Sequence, residues 1–199
     1  MILPDGYSDV PPGKIAAVVT HLEMTAQAPS RPGAEIPGVT IRAVVSPDVA
    51  WYRDLYTRIG ADDWLWFSRL KLTTEALEAK IRHPQVEIFA LTAQGRDEGL
   101  LELSFETEGE CELLFFGVTK SLIGQGAGRL LMNTAIARAW SQPIRRFSVH
   151  TCTLDHPGAL AFYMRSGFRP FRRQIEIADD PRLSGLLPET AAPHVPIIR

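Results

Sequence analysis

The alternation of apolar and polar residues predicts a chain built mostly from short strands. Period-two alternation, or a short apolar run between turn residues, is typical of a strand in a sheet. Three of these runs follow one another closely and are separated only by turns at residues 94–97 and 108–109, which predicts an antiparallel meander. The strand-like runs cover residues 14–24, 39–45, 86–91, 99–106, 111–118, 145–154 and 168–177.

Helical spacing appears between these runs. Ser46, Pro47 and Asp48 are good start signals for a helix that runs to about Ile59, and Thr73 with Thr74 and Glu75 predicts a second helix, ending near Arg82. After residue 126, apolar residues fall in two adjacent rows, the width expected of a helix lying on a sheet. Those rows are Leu131, Ala135 and Ala139, and Met132, Ile136 and Trp140.

The order of these elements indicates the fold class. Helices come first, a strand meander follows, and strand–helix–strand units end the chain, which predicts an α+β (mixed α/β) sheet. We divide the chain into an N-terminal extension with one extra strand (1–38), a main domain (39–178) and a Pro-rich C-terminal tail packed on that domain (179–199).

Composition excludes several classes of function. The chain has 199 residues, 45% hydrophobic and 22% charged, with a formal net charge of -2, which argues against a dedicated nucleic-acid binder. Apolar runs fall short of the roughly 20 residues that span a bilayer, and the N-terminus lacks the pattern of a signal peptide. We therefore expect a cytoplasmic protein without a membrane partner, in which Cys111 and Cys152 are buried reduced thiols.

The first chemical signal is a glycine-rich loop between a predicted strand and a predicted helix. Gly124, Gly126 and Gly128 leave the backbone bare where the helix begins. The first turn of a helix has unpaired N–H groups and a partial positive charge, so it can bind a phosphate. Arg129 and Leu130 follow the last glycine, which excludes the Lys-Ser/Thr of a P-loop, and the Gly-x-Gly-x-x-Gly spacing of dinucleotide sites is not met.

The loop and a second segment together resemble the Gcn5-related (GNAT) N-acetyltransferases. Gly126 and Gly128 occupy the small positions of the family's coenzyme A loop, Gln/Arg-x-x-Gly-x-Gly/Ala, and Val118 matches its strand-end valine; Ile123 departs from it. The family's second signature is Asn-x-x-Ala-x-x-x-Tyr-x-x-x-Gly-Phe. It is matched by Ala159, Tyr163, Gly167 and Phe168, with His156 in place of Asn.

This resemblance implies a fold and a donor site. It implies a mostly antiparallel twisted sheet, flanked by helices and splayed at two parallel strands, with acetyl-CoA as cosubstrate. The pyrophosphate would rest on the backbone of 125–129 and the pantetheine along 116–118, with Gly117 at a bulge or a close backbone approach. The implied cofactor-binding residues are Phe116, Gly117, Val118, Ile123, Gly124, Gln125, Gly126, Ala127, Gly128, Arg129, His156 and Ala159.

The resemblance also implies catalytic candidates. Tyr163 stands where many relatives place the hydroxyl that faces the cofactor sulfur, and its alternative role is packing of the helix on the sheet. Glu112, six residues before Val118, matches the glutamate base of the histone-acetyltransferase branch; an exposed strand carboxylate is the alternative. Glu102 is a competing base, and a water relay without a single base is a further option.

The acceptor half is less defined. Trp64, Trp66 and Arg69 lie where relatives place the variable wall of the acceptor site, although the alternate spacing of the tryptophans favours a place in the core. Asp155 could contact substrate. We expect no metal, because His150 and His156 lack the spacing of a zinc motif. The predicted function is acetyl transfer to a primary amine of a small molecule or peptide, with a possible homodimer. The alternatives are a non-catalytic acyl-CoA sensor and a protein lysine or N-terminal acetyltransferase.

Overall fold

A computed structural model describes residues 5–33 and 36–199 of the chain. It contains one seven-stranded sheet with strand order β2-β3-β4-β5-β6-β1-β7. The strands are β1 Lys14–Met24, β2 Val39–Ala43, β3 Val86–Ala93, β4 Arg96–Ser104, β5 Glu110–Val118, β6 Arg146–Cys152 and β7 Arg169–Asp179. The helices are α1 Val49–Tyr56, α2 Asp62–Trp64, α3 Thr74–Ile81, α4 Ala127–Ala139 and α5 Ala159–Arg165. A π-helical turn, Thr57–Ala61, joins α1 to α2, and a 3-10 turn, Lys120–Leu122, precedes α4.

The sheet is antiparallel except between β5 and β6. These two strands run parallel and pair only from Glu110 with Arg146 to Leu113 with Val149, after which they separate. Opposite β4 the register shifts between Glu102 and Leu103, so Leu114 has no partner residue and forms a bulge. A bulge bends its strand and ends regular pairing. The predicted α+β fold, with a mostly antiparallel sheet splayed at one parallel pair and flanked by helices, is confirmed.

The N-terminal strand lies inside the sheet. β1 pairs antiparallel with β7 over nearly its whole length, from Lys14 to Glu23, and with β6 on its other side from Val19 to Met24. The strand that we assigned to an extension of the main domain therefore supplies backbone hydrogen bonds to two of that domain's strands.

Helices cover both faces of the sheet. The first core lies between the sheet and helices α4 and α5 and includes Leu22, Leu131 and Phe147. The second lies between the opposite face and helices α1 and α3 and includes Tyr52 and Leu77. Burial of such side chains contributes about 25 cal/mol per Å² of apolar surface removed from water, so both layers stabilise the sheet.

The C-terminal tail belongs to a third core. Leu187, Ala191 and Ala192 are buried against Ala61 and Leu65 at the end of the α1–α2 segment. A buried ion pair holds this tail in place. Arg182 Nη2 donates to Asp180 Oδ2 at 2.7 Å, and Nη1 of the same arginine donates to the carbonyls of Ala191, Ala192 and Val195.

Helix starts follow the predicted signals, whereas the predicted end at Ile59 is wrong. Asp48 caps α1, because its Oδ1 accepts from the backbone N–H of Trp51 at 2.9 Å. Beyond Tyr56 the helical segment continues as the π-helical turn and α2. It ends at Leu65, which has a left-handed φ of 54°. Gly60 in that turn lies against the ring of Trp66, six residues further along the chain, and leaves no room for a Cβ atom. Of the helices described, none is long and apolar enough to cross a membrane.

Candidate active site

A cavity of about 770 Å³ opens where β5 and β6 separate. Its walls come from the β5 edge, the glycine-rich loop, the start of α4, the β6–α5 turn and residues 64–69. Most of the predicted site residues meet here: Trp64, Trp66, Arg69, Phe116, Gly117, Val118, Ile123, Gly124, Gly126, Gly128, Arg129, Asp155, His156, Ala159 and Tyr163. Four predicted residues lie outside the described lining: Glu102, Glu112, Gln125 and Ala127.

The backbone at the start of α4 has free donors of the kind that an anion needs. Gly126 directly precedes the 13-residue helix, and its φ of +91° is a left-handed conformation that favours glycine. Within the described residues, the N–H groups of Gly126, Ala127 and Gly128 donate to no backbone carbonyl. These free donors and the helix dipole suit a pyrophosphate, so the backbone fits the group that the sequence predicted.

Side chains around this loop fall into two groups. Ala127 is buried in the core and the Gln125 side chain donates to the carbonyl of Ser121 at 2.6 Å, so both can contribute to the cavity only through the backbone. Arg129 lines the cavity, donates to Ser166 Oγ at 3.1 Å and lies over the ring of Phe162 at 5.0 Å. Burial, together with two neighbouring arginines, Arg31 and Arg165, lowers the pKa of Arg129. The three neighbouring arginines concentrate positive charge at the cavity, which favours an anionic ligand.

The β5 edge supplies the other wall. Gly117 faces the π-helical turn after α1, where a Cβ atom would lie 2.5 Å from Ile59 Cγ2, so glycine permits a close approach there. The bulge that the sequence predicted near Gly117 lies at Leu114 instead. Because β5 and β6 pair only as far as Leu113 with Val149, the β5 backbone from Leu114 to Val118 borders the cavity without a partner on the β6 side.

Tyr163 lies on α5 at the inner end of the cavity. Its ring contacts Phe116 and Phe168 edge to face, and within the described residues its hydroxyl has no protein hydrogen-bond partner. Burial raises the pKa of Tyr163, and Asp155 adds to the effect, so the phenol keeps its proton at neutral pH. The packing role and the donor role that we considered are thus compatible in one side chain.

Glu102 belongs to a buried network beneath the cavity. It is fully buried, accepts from the hydroxyl of Tyr52 and forms an ion pair with Arg69. Burial raises the pKa of Glu102, whereas Arg69 and the Tyr52 hydrogen bond lower it. Because both carboxylate oxygens are engaged, Glu102 holds Arg69 in place, and Arg69 in turn lies over the ring of Phe115.

Glu112 contacts His150, a cavity residue that we considered from the sequence only as a metal ligand. Its carboxylate Oε1 lies 3.6 Å from Nδ1 of His150, and His150 lines the cavity. Glu112 raises the pKa of His150, and Asp155 and Glu176 act in the same direction. His150 shares one face of the sheet with Ser148 and Cys152, as the two-residue period of a strand predicts. Only the β5–β6 register shows that Glu112 is its neighbour.

The aromatic wall is held by Asp155. Its Oδ1 accepts from Trp66 Nε1 at 3.0 Å, and its Oδ2 accepts from the Thr151 hydroxyl at 2.7 Å and the Cys152 backbone N–H at 2.8 Å. The carboxylate therefore joins Trp66 to the β6–α5 turn and is engaged within the protein. Among other cavity residues, Phe162 and Glu176 were not predicted from the sequence.

His156 closes the same turn. Its Nδ1 accepts from the backbone N–H of Gly158 at 3.0 Å, and its ring meets Trp64 edge to face at 5.2 Å. Trp64 also contacts His194 of the tail. Among residues 5–33 and 36–199, no three His, Cys, Asp or Glu side chains are grouped so as to hold a metal ion.

Solved structures share this fold. A GCN5-related N-acetyltransferase from Sphaerobacter thermophilus aligns with a TM-score of 0.63 at 16% identity, covering 85% of this chain and 53% of its own. A GNAT family acetyltransferase from Elizabethkingia anophelis, solved with acetyl-CoA bound, aligns with a TM-score of 0.53 at 17% identity over 69% of this chain and 80% of its own.

A third similar structure is an aminoglycoside acetyltransferase from an uncultured soil metagenomic sample, in complex with trehalose. It has a TM-score of 0.50 at 14% identity and covers 65% of this chain and 87% of its own. The present chain thus spans about half the length of the Sphaerobacter protein. Identities this low show a shared fold alone, and no curated protein matches the sequence.

The family assignment rests on a sequence comparison. The model of the acetyltransferase (GNAT) family matches residues 50–168, more than half of the chain. The matched region contains the glycine-rich loop, the splayed strands and Tyr163, and acetyl transfer from acetyl-CoA is the general reaction of this family. The chain therefore belongs to the GNAT acetyltransferase family.

Proposed function

We propose that the protein is an acetyl-CoA-dependent N-acetyltransferase that acetylates a primary amine by direct attack in a ternary complex. The observation that carries this proposal is the set of free N–H groups at the start of α4, beside a cavity that reaches Tyr163. The structure with acetyl-CoA bound from Elizabethkingia anophelis supports the same donor. The chemistry needs a phosphate site, a channel for the acyl arm and a donor near the leaving sulfur, and the cavity offers candidates for each.

The donor half is assigned as follows. The backbone at Gly126, Ala127 and Gly128 would hold the pyrophosphate. The unpaired β5 edge at Phe116 to Val118 would hydrogen-bond the pantetheine arm, as an added strand does, and would offer N–H groups to the developing oxyanion. Tyr163 would donate to the leaving sulfur, which its protonated hydroxyl permits.

The acceptor half lies against Trp64, Trp66 and Arg69. Because Glu102 neutralises Arg69 and Asp155 is engaged by the protein, this wall is mainly aromatic, and it suits the apolar part of an amine substrate. The acceptor is a small molecule or a peptide. The aminoglycoside acetyltransferase among similar structures shows that the fold can serve a small-molecule acceptor.

Calorimetry with acetyl-CoA tests the donor site. Wild type should bind, and Gly126→Glu should not, because a carboxylate would occupy the anion site. Gly95→Glu is the matched control, since Gly95 also has a positive φ of +78°, in the β3–β4 turn, with open space around its Cβ position. Loss of binding in both variants would indicate misfolding, and wild-type protein without affinity for acetyl-CoA would refute the proposed function.

A panel of amines tests catalysis. Thiol release from acetyl-CoA is measured with arylalkylamines, polyamines, aminoglycosides and lysine peptides. Turnover of any class above the rate with enzyme omitted supports the transferase. Tight binding of acetyl-CoA with none of these amines acetylated would favour the alternative, an acyl-CoA sensor.

A further inference from the structure

Two titratable side chains meet at the point where the parallel strands separate. Glu112 on β5 pairs in register with Ser148 on β6, and His150 lies two residues beyond Ser148 on the same face of the sheet. Their side chains are within ion-pair distance, with Glu112 Oε1 3.6 Å from His150 Nδ1. Both side chains are about half exposed, but only His150 is among the described cavity residues.

The contact orients the imidazole. Because Nδ1 is the nitrogen that faces the carboxylate, the neutral ring carries its hydrogen there and leaves the lone pair on Nε2. A ring with this tautomer can accept a proton at Nε2 from a ligand in the cavity. Glu112 is not among the described cavity residues, and its contact with the cavity runs through the histidine.

The charged groups around His150 act together. Glu112 faces it from β5, Asp155 from the turn after β6, and Glu176 from β7. From β1, the ring of His21 lies 5.7 Å away, tilted by 40°. The contact with the Glu112 carboxylate, together with the charges of Asp155 and Glu176, raises the pKa of His150, although burial opposes them. A base whose pKa lies closer to neutral pH accepts a proton more readily in the transition state.

We infer that His150 is the general base of the acetyl transfer and that Glu112 is its positioning residue. The inference rests on the proposed function and adds a role to it. From the sequence, the alternatives for the general base were Glu112, Glu102 and a water relay. Glu102 is fully buried and occupied by Tyr52 and Arg69, so it cannot face an acceptor.

The proposed acetyl transfer begins with deprotonation of the acceptor. His150 Nε2 takes one proton from the acceptor ammonium, and the neutral amine attacks the thioester carbonyl. The C–N bond forms and the C–S bond breaks, and its electron pair leaves on sulfur. The nitrogen loses its second proton, which reaches the sulfur through the Tyr163 hydroxyl. His150 then returns its proton to solvent, so each turnover gives an amide, a thiol and one free proton.

The first test measures the histidine without turnover. Nuclear magnetic resonance titration of the imidazole Cε1–H, assigned through His150→Gln, gives its pKa in wild type and in Glu112→Gln. We expect a wild-type pKa above the ordinary value of about 6.5, falling in Glu112→Gln. An unchanged pKa in that variant would overturn the pairing.

The second test measures the pH dependence of kcat/KM for thiol release from acetyl-CoA, using the amine of the panel that reacts best, or water if none reacts. We expect His150→Gln to lower kcat/KM 100-fold or more. Glu112→Gln should shift the acid limb of the pH profile to lower pH, and Glu112→Asp should restore part of the rate that Glu112→Gln loses. His83→Gln is the matched control. His83 also lies near a glutamate, with its Nδ1 3.9 Å from Glu106 Oε1, but it is outside the described cavity lining.

The outcomes separate the two proposals. A His150→Gln variant that binds acetyl-CoA and keeps the wild-type pH profile refutes the base, while the transferase proposal stands. The base is also refuted if wild type binds acetyl-CoA but transfers the acetyl group neither to an amine nor to water, since the pair then activates no nucleophile. Absence of acetyl-CoA binding in wild type refutes the proposed function itself.

Discussion

Removing the carboxylate of Glu102 should destabilise the fold severely, without changing the acetyl transfer step directly. Glu102 is fully buried, and Glu102→Leu would leave the Arg69 guanidinium, which is 11% exposed, without its counter-ion and the Tyr52 hydroxyl without its acceptor. Breaking one partner of a buried pair costs about 3–5 kcal/mol, because the other charge stays desolvated. For a chain of this size each kcal/mol lowers Tm by about 2–4 °C.

A second variant separates charge burial from packing. Glu102→Leu with Arg69→Met removes both charges and keeps similar volumes, so we expect it to recover most of the lost stability. Circular dichroism during urea unfolding gives the free energies of unfolding, and calorimetry reports whether acetyl-CoA still binds. A single variant whose free energy of unfolding lies within about 1 kcal/mol of wild type would refute the stabilising role of this pair. A double variant no more stable than the single one would refute it as well.

Three further results are expected. Tyr163→Phe should lower kcat about 100-fold or more while the Kd for acetyl-CoA stays nearly constant. Thiol-release assays give kcat and calorimetry gives the Kd, and a kcat equal to that of wild type would remove Tyr163 from the reaction. Gly60→Ala should cost about 1–3 kcal/mol or more, because the new Cβ would lie 1.9 Å from Trp66 Cδ2, and a melting temperature equal to that of wild type would contradict this packing. The Asp180–Arg182 pair should stabilise the tail only above acidic pH. Arg182 lowers the pKa of Asp180, so its contribution is complete above the unfolded value of about 3.9 and is lost as pH falls through the folded value. Asp180→Asn should flatten that part of the pH–stability curve, and an unaltered acid transition would argue against the pair.

Local chemistry accounts for what could be predicted of the fold. The strand-like run over residues 14–24 is confirmed as β1 with the bounds Lys14–Met24, and Asp48 and Thr73 cap the helices that they were predicted to begin. The glycine-rich loop also acts locally, because a left-handed Gly126 followed by a helix leaves N–H groups free whatever surrounds it.

What the sequence by itself determined is therefore the class of the fold, the loop that can hold a phosphate and the place of Tyr163, since each follows from residues adjacent along the chain. Tertiary structure alone decided which polar groups face one another. Glu102 and Arg69, 33 positions apart, neutralise each other under the acceptor wall, and the short β5–β6 pairing places Glu112 beside His150. These contacts depend on strand register and on burial, which are settled by packing over the whole sheet and leave no periodic signal in any one segment.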